Sequence, residues 1–253
     1  ASLFEVYNKK NKINFSLNLG SKKNYLYKHP SVGSTCGRYA GRISNAKFKI
    51  GNKKFNLNAN EGKNILHGGK VGFSILPWKK INQKKNKIIY QLHSANNDQG
   101  FPGDLLINCT YQLRNKFLII KYDYKSNKST HVNLTNHSYW NLEKNKKNMI
   151  YNHDLKLNSS KYLQINKNLI PTGKFKNIKK SIYDFSNFEN IGKKLDYFKN
   201  KKFNTKFKGF DITFSVKKNL KNYVGTLKNN NTKIQVDFFS NLPGVQLLSL
   251  IHI

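Results

Sequence analysis

An all-β chain built as a large antiparallel sandwich is predicted by two features of the 253-residue sequence. Short runs of alternating apolar and polar residues recur along its whole length, as half-buried strands require. Glycine, proline and asparagine punctuate those runs at close intervals, which suits hairpins better than βαβ crossovers. One domain accounts for the length, and a chain of this size buries a full core.

Residues 12–19, Lys12-Ile13-Asn14-Phe15-Ser16-Leu17-Asn18-Leu19, alternate as a strand with one buried face. Residues 33–43 carry Gly33, Gly37 and Gly41 beside Arg38 and Arg42. So many glycines make a poor strand and bring backbone close to something. A buried arginine there has to be paired or reach a ligand. Residues 47–50 and 54–57 flank Gly51-Asn52, a hairpin turn in which glycine takes a positive φ. A loop then ends in His67-Gly68-Gly69, whose glycines leave the histidine uncrowded and exposed. Trp78 suits a core and a site equally. Residues 87–94 form a strand, and Asp98 to Asp104 a proline- and glycine-fixed loop. Residues 105–113 and 116–124 make a second hairpin around Arg114-Asn115. Residues 154–163 and 223–239 supply further short strands. One helix is predicted over 187–198, with Asn187 as its N-cap and Gly192 weakening it.

Formal charge is +34, a value that ordinarily points to nucleic acid or an acidic membrane. Its make-up argues against both. Only Arg38, Arg42 and Arg114 are arginines, and the lysines are spread over the whole chain rather than gathered in one stripe. Phosphate and base-edge recognition favours the planar fork of arginine. The abundance of Lys, Asn, Ile, Phe and Tyr fits codon drift in an AT-rich genome, so no specific nucleic-acid partner and no membrane is expected. No run of apolar residues reaches transmembrane length. Cys36 and Cys109 stand apart without a CxxC spacing, which indicates neither a disulfide framework nor a metal site. A reducing, cytoplasmic setting is the expectation, although the chain begins at Ala1 rather than Met.

Chemistry concentrates in Asn133-Leu134-Thr135-Asn136-His137-Ser138-Tyr139-Trp140-Asn141-Leu142. A histidine sits there among neutral hydrogen-bonding side chains and aromatics. Asn and Ser offer donors and acceptors to hydroxyls, Tyr and Trp offer flat faces to ring C–H groups, and His137 carries a proton mobile near neutral pH. That is a sugar site by residue type. The alternative is a half-buried strand whose histidine is satisfied by its neighbours. His29, His93, His131 and His153 lack any such pattern and read as surface or strand residues, while Glu61 and Asp104 serve loops.

Read in order, eight stretches resemble the aldose 1-epimerase (galactose mutarotase) family. They are Gly37 to Ile43, Asn64 to Gly69, Phe101-Pro102-Gly103, Asn133 to Leu142, Pro171-Thr172-Gly173, Asp184-Phe185 with Ile191-Gly192, Gly209-Phe210-Asp211, and Pro243-Gly244-Val245-Gln246. The resemblance implies a galactose mutarotase-like supersandwich that interconverts the α and β anomers of a free aldohexose such as glucose or galactose, without metal or cofactor. It implies that His137 is the general acid and His67 the second active-site histidine. It implies that Arg42, Asp211 and Gln246 hold sugar hydroxyls, with Tyr139 lining the pocket. Gly41 replaces the asparagine common beside the arginine, and Ile212 replaces a histidine common after the aspartate. Both changes bear on substrate preference.

The family's general base is a glutamate downstream of Pro-Gly-Val-Gln, and Glu189 is the last glutamate here. The resemblance therefore covers residues 1–247 as a domain incomplete at both ends, its C-terminal strands missing and its catalysis feeble. Residues 248–253 match one reading frame of a transposase sequencing adapter. A non-catalytic carbohydrate-binding protein of the same fold is the alternative function; a glutamate or an apolar residue in the strand after Pro-Gly-Val-Gln separates the two.

Overall fold

The computed structural model describes residues 1–10, 12–27, 29–200, 209–217 and 222–249. Contacts concentrate in two units. The first comprises Ala1–Val6 and Ser16–Tyr139; the second comprises Tyr7–Phe15 and the chain from Trp140 onward.

In the first unit the largest sheet is antiparallel, with Phe117–Ser126, Leu105–Arg114, Lys87–Ser94 and Lys79–Lys84 in that spatial order. Leu105, Ile107, Cys109 and Tyr111 alternate inward along their strand while Leu106 points to solvent. The inner face gathers Leu92, Leu105 and Ile107 with Phe73 and Leu134. Trp78 packs on this cluster and donates its indole N–H to the Phe73 carbonyl at 3.0 Å, which decides for core over site. Strand Lys79–Lys84 has no alternation to read because all of it is exposed. Its lysines sit at a sheet edge, where charge discourages further pairing.

Both predicted hairpins form. Ile50 pairs with Lys53 around Gly51-Asn52, and Gly51 has φ +54°. The second turn lies one residue later than expected, at Asn115-Lys116, because Arg114 pairs with Phe117 and Asn115 takes the positive φ of 54°. Of residues 12–19, only Ile13–Asn14 is strand, and Ile13 enters the core of the second unit.

The second unit holds two four-stranded antiparallel sheets. One runs Glu189–Asn190, His153–Leu157, Tyr223–Asn229, Gln235–Phe239; the other runs Pro171–Asn177, Ser159–Ile165, Asp211–Val216, Gly244–Leu248. Leu155, Leu157 and Leu227 from the first meet Ile212 and Phe214 from the second in one core, so the pair is a sandwich. The helix spans Ile191–Asn200, later than predicted. Asn190 rather than Asn187 caps it, accepting the Lys193 N–H at 3.0 Å. Gly192 is there for space: a Cβ on it would lie 2.7 Å from the Tyr151 carbonyl oxygen.

His153 has partners that its sequence context did not suggest. It is wholly buried; its Nε2 accepts the Leu142 N–H at 2.9 Å and its Nδ1 faces the Ile150 oxygen at 3.1 Å. Glu143 beside it accepts from Asn229 at 2.7 Å. This network ties down the chain immediately after Asn133 to Leu142. Of the suspected adapter-derived residues, 250–253 lie outside the described ones, while Leu248 pairs with Asp211 and Ser249 accepts the Phe210 N–H at 2.8 Å.

Candidate active site

Arg38 builds the floor of the glycine-rich segment. It is 1 % exposed, and its guanidinium donates to the carbonyl oxygens of Ser94, Ala95, Pro102 and Gly103 and to Ser94 Oγ at 2.6 to 3.1 Å. The buried arginine is therefore paired with loop carbonyls, and it lashes the loop of Phe101-Pro102-Gly103 to the segment that follows Gly37.

The stretch containing His137 is clipped against the same segment. Thr135 pairs with Cys36 and Asn136 with Thr35, the His137 N–H donates to the Ser34 oxygen at 2.8 Å, and the Gly33 N–H donates to the His137 oxygen at 2.8 Å. Only Thr135–Asn136 is regular strand. The neutral side chains expected to meet hydroxyls are already engaged. Asn133 donates to the Ala40 oxygen at 2.9 Å, Asn136 to the Gly33 oxygen at 3.0 Å, and Ser138 to Asn136 at 2.5 Å. They hold the backbone that presents His137. Trp140 likewise packs on Phe238 in the core of the second unit, edge to face at 5.9 Å, while Tyr139 stays against His137 with ring centres 5.1 Å apart.

His67 is brought to that segment by a separate strand pairing. Arg42–Ile43 pairs with Ile65–Leu66, and the Gly41 N–H then donates to His67 Nδ1 at 3.1 Å. His67 itself has φ +52°, and Gly68 follows at φ +88° with no room for a side chain, since a Cβ would fall 1.9 Å from the Gly37 oxygen. Gly68 thus permits a tight fold of backbone on backbone, while Gly69 leaves room for the Gln99 side chain. His67 is half-buried rather than exposed, because the folded backbone closes over it; burial, followed by the electrostatic influence of His137 and Arg42, pushes its pKa down to about 3. At neutral pH the ring is therefore uncharged. With Nδ1 accepting, its one proton sits on Nε2, so His67 is a donor there.

His67 and His137 stand at right angles with ring centres 5.3 Å apart. Arg42 is held by Glu61 through a bidentate pair, Nε to Oε2 at 2.7 Å and Nη2 to Oε1 at 2.9 Å. Glu61 thus does more than serve its loop. Cys36, to which its isolated spacing gave no role, lies with His67 and His137 so that one donor atom of each falls within 4.8 Å of the others. Neither was visible in spacing along the chain, because Cys36, Glu61 and the histidines meet only through strand pairing.

In the second unit Asp211 and Gln246 come together across adjacent strands. Gln246 Nε2 donates to Asp211 Oδ1 at 2.6 Å, and Thr213 donates to the Gln246 amide oxygen. The amide orientation is thereby fixed. Ile212, between Asp211 and Thr213, is 2 % exposed and belongs to the core.

The family model for aldose 1-epimerase matches residues 1–249. This chain belongs to the aldose 1-epimerase family. Among curated relatives, pig galactose mutarotase is 31 % identical over 231 residues, covering 91 % of this chain and 65 % of the relative. The Haemophilus influenzae aldose 1-epimerase is 38 % identical over 156 residues, covering 60 % of this chain and 46 % of the relative. The chain thus spans less than two thirds of the length of these proteins. Among solved structures, galactose 1-epimerase from Lactobacillus acidophilus superimposes with a TM-score of 0.85 at 26 % identity, over 97 % of this chain and 71 % of that one. The aldose epimerase homologue from C. elegans gives 0.86 at 22 % identity over 97 % and 74 %. The fold of this aldose 1-epimerase family member is accordingly galactose mutarotase-like and mostly antiparallel β.

Proposed function

We propose that the protein is an aldose 1-epimerase acting on free hexoses such as glucose and galactose, interconverting their α and β anomers. The observation that carries this is the perpendicular pair of His67 and His137, one of them a neutral donor, in a chain of this family.

Anomer exchange breaks the bond between C1 and the ring oxygen. The C1 hydroxyl loses a proton, the ring oxygen gains one, and an open aldehyde results; rotation about C1–C2 and reversal of both transfers closes the other anomer. No electron leaves the sugar, and the reaction calls for no redox cofactor. His137 gives the proton to the ring oxygen. His67 does not compete for that task because it is uncharged; its Nε2–H steadies a sugar oxygen instead. Beside them in the first unit Arg42 holds a hydroxyl and Tyr139 flanks the sugar; the family resemblance gives Asp211 and Gln246 of the second unit the role of holding hydroxyls as well. Proton removal from C1–OH needs a carboxylate. Glu61 is committed to Arg42, and the base of the family resemblance is a glutamate downstream of Pro-Gly-Val-Gln.

Polarimetry of α-galactose with the complete protein tests the assignment. His137→Ala is expected to slow mutarotation by ~10²–10⁴-fold, the range of a lost proton-transfer group, with melting unchanged. A variant as fast as the parent would refute it.

A further inference from the structure

We propose that Tyr111 is a positioning residue for His137, acting through the side chain of Asn136. The inference rests on the reading of His137 as the acid of anomer exchange. Asn136 Nδ2 donates to the Gly33 oxygen at 3.0 Å and to the Tyr111 hydroxyl at 3.3 Å, while Asn136 Oδ1 accepts from Ser138 Oγ at 2.5 Å. Residues 136 and 138 are therefore bonded to each other across residue 137. Both hydrogens of the amide nitrogen are used, and a flip of the amide would set its oxygen against the Gly33 carbonyl. Gly33 is also the residue whose N–H donates to the His137 oxygen at 2.8 Å. Asn136 thus grips the same backbone that clips His137 in place.

Tyr111 ties this brace to the large sheet. It stands on strand Leu105–Arg114 at 8 % exposure, with its hydroxyl in reach of Thr35 and Cys109 as well. Thr35, wholly buried, pairs with Asn136 and faces the Tyr122 hydroxyl at 3.2 Å and the Cys109 sulfur at 3.8 Å. Pieces of chain far apart in sequence are thereby joined by hydroxyls rather than by apolar contact alone. Burial, followed by Cys109 and Tyr122, raises the Tyr111 pKa, so the phenol stays protonated. Apolar packing tolerates a small slide, whereas a buried amide that loses a partner turns to find another. The imidazole is one residue away, and a misplacement near 1 Å at a reacting group costs up to ~10²-fold in rate. Arg42 is held separately by Glu61, so sugar binding does not share in the loss.

Polarimetry of the complete protein in two backgrounds is the test. Tyr111→Phe keeps the ring and removes the hydroxyl; it is expected to lower kcat for mutarotation of α-galactose ~10-fold, with KM held within about twofold. In the His137→Ala background the same change is expected to cost nothing further, because it acts only through the imidazole. Tyr122→Phe, which loses a bond to Thr35 but none to Asn136, is expected to keep the parental kcat. A parental rate for Tyr111→Phe, an equal loss in both backgrounds, or an equal loss for Tyr122→Phe would overturn the proposal. A parental rate for His137→Ala alone would instead sink the reading of the acid on which it rests.

Discussion

Gly41 and His67 bond to each other twice: the Gly41 N–H donates to His67 Nδ1 at 3.1 Å, and the His67 N–H donates to the Gly41 oxygen at 3.1 Å. One backbone segment thereby sets the position of the imidazole and also its tautomer. A ring whose Nδ1 is an acceptor and whose surroundings hold positive charge resists a second proton.

That resistance makes stability depend on pH. With the His67 pKa at about 3 in the fold and near 6.5 when unfolded, the unfolded chain binds a proton that the native chain refuses. The native state is undisturbed above pH ~6.5 and loses stability as pH falls from there toward 3, with a slope of up to ~1.4 kcal/mol per pH unit from this one group. Burial lowers the His153 pKa as well, with the same sign. His67→Gln is expected to remove its share of the slope in urea titrations between about pH 4 and 6.5. An unchanged slope would show that His67 protonates freely in the fold.

Two glycines beside the site are expected to differ sharply. Gly68→Ala sets a methyl 1.9 Å from the Gly37 oxygen at φ +88°, so backbone has to move and His67 with it. Gly41→Ala, at φ +85°, meets nothing within 4 Å and bears only the conformational penalty of about 1 kcal/mol. Chemical denaturation should give a loss for Gly68→Ala that exceeds the Gly41→Ala loss by ~2 kcal/mol or more. Equal losses would contradict the close approach.

Arg38 holds its loop through carbonyls, and its removal strands them. Arg38→Met retains bulk but leaves the oxygens of Ser94, Ala95, Pro102 and Gly103 without that donor. A destabilisation of ~3–5 kcal/mol is expected, with faster amide exchange in the loop of Asp98 to Asp104. A cost under about 1 kcal/mol would mean that water replaces the guanidinium.

Glu61 orients Arg42 from a partly exposed position, with side-chain exposures of 38 % and 14 %. Its contribution to stability is therefore modest, ~0.5–1 kcal/mol in a double-mutant cycle. Its expected effect on turnover is larger. On the proposed function, Glu61→Gln removes this bidentate anchor from the guanidinium and should raise KM for galactose about tenfold, with kcat changed less, because uniform binding is lost. A fall in kcat at constant KM would instead place Arg42 at the transition state.

Much of the chain was legible before any coordinates. Gly51-Asn52 between alternating runs, and the paired runs around residue 115, announced their hairpins because turn chemistry and period two are local properties. His67 and His137 stood out through their immediate neighbours. Strands Lys79–Lys84 and Pro171–Asn177 escaped notice because both are wholly exposed edges, where burial imposes no alternation.

What the amino-acid order determined by itself was the β architecture, the family likeness and the two histidines, all carried by neighbouring residues. Tertiary structure alone decided what those histidines stand beside. Pairing Thr35–Cys36 with Thr135–Asn136, and Arg42–Ile43 with Ile65–Leu66, brought in the Cys36 thiol, the Gly41 N–H and the Glu61 carboxylate. It also consumed Asn133, Asn136 and Ser138 in holding the chain. The physical reason is that a hydrogen-bonding side chain meets whichever partner the crossing strands deliver, and those crossings join positions far apart in sequence.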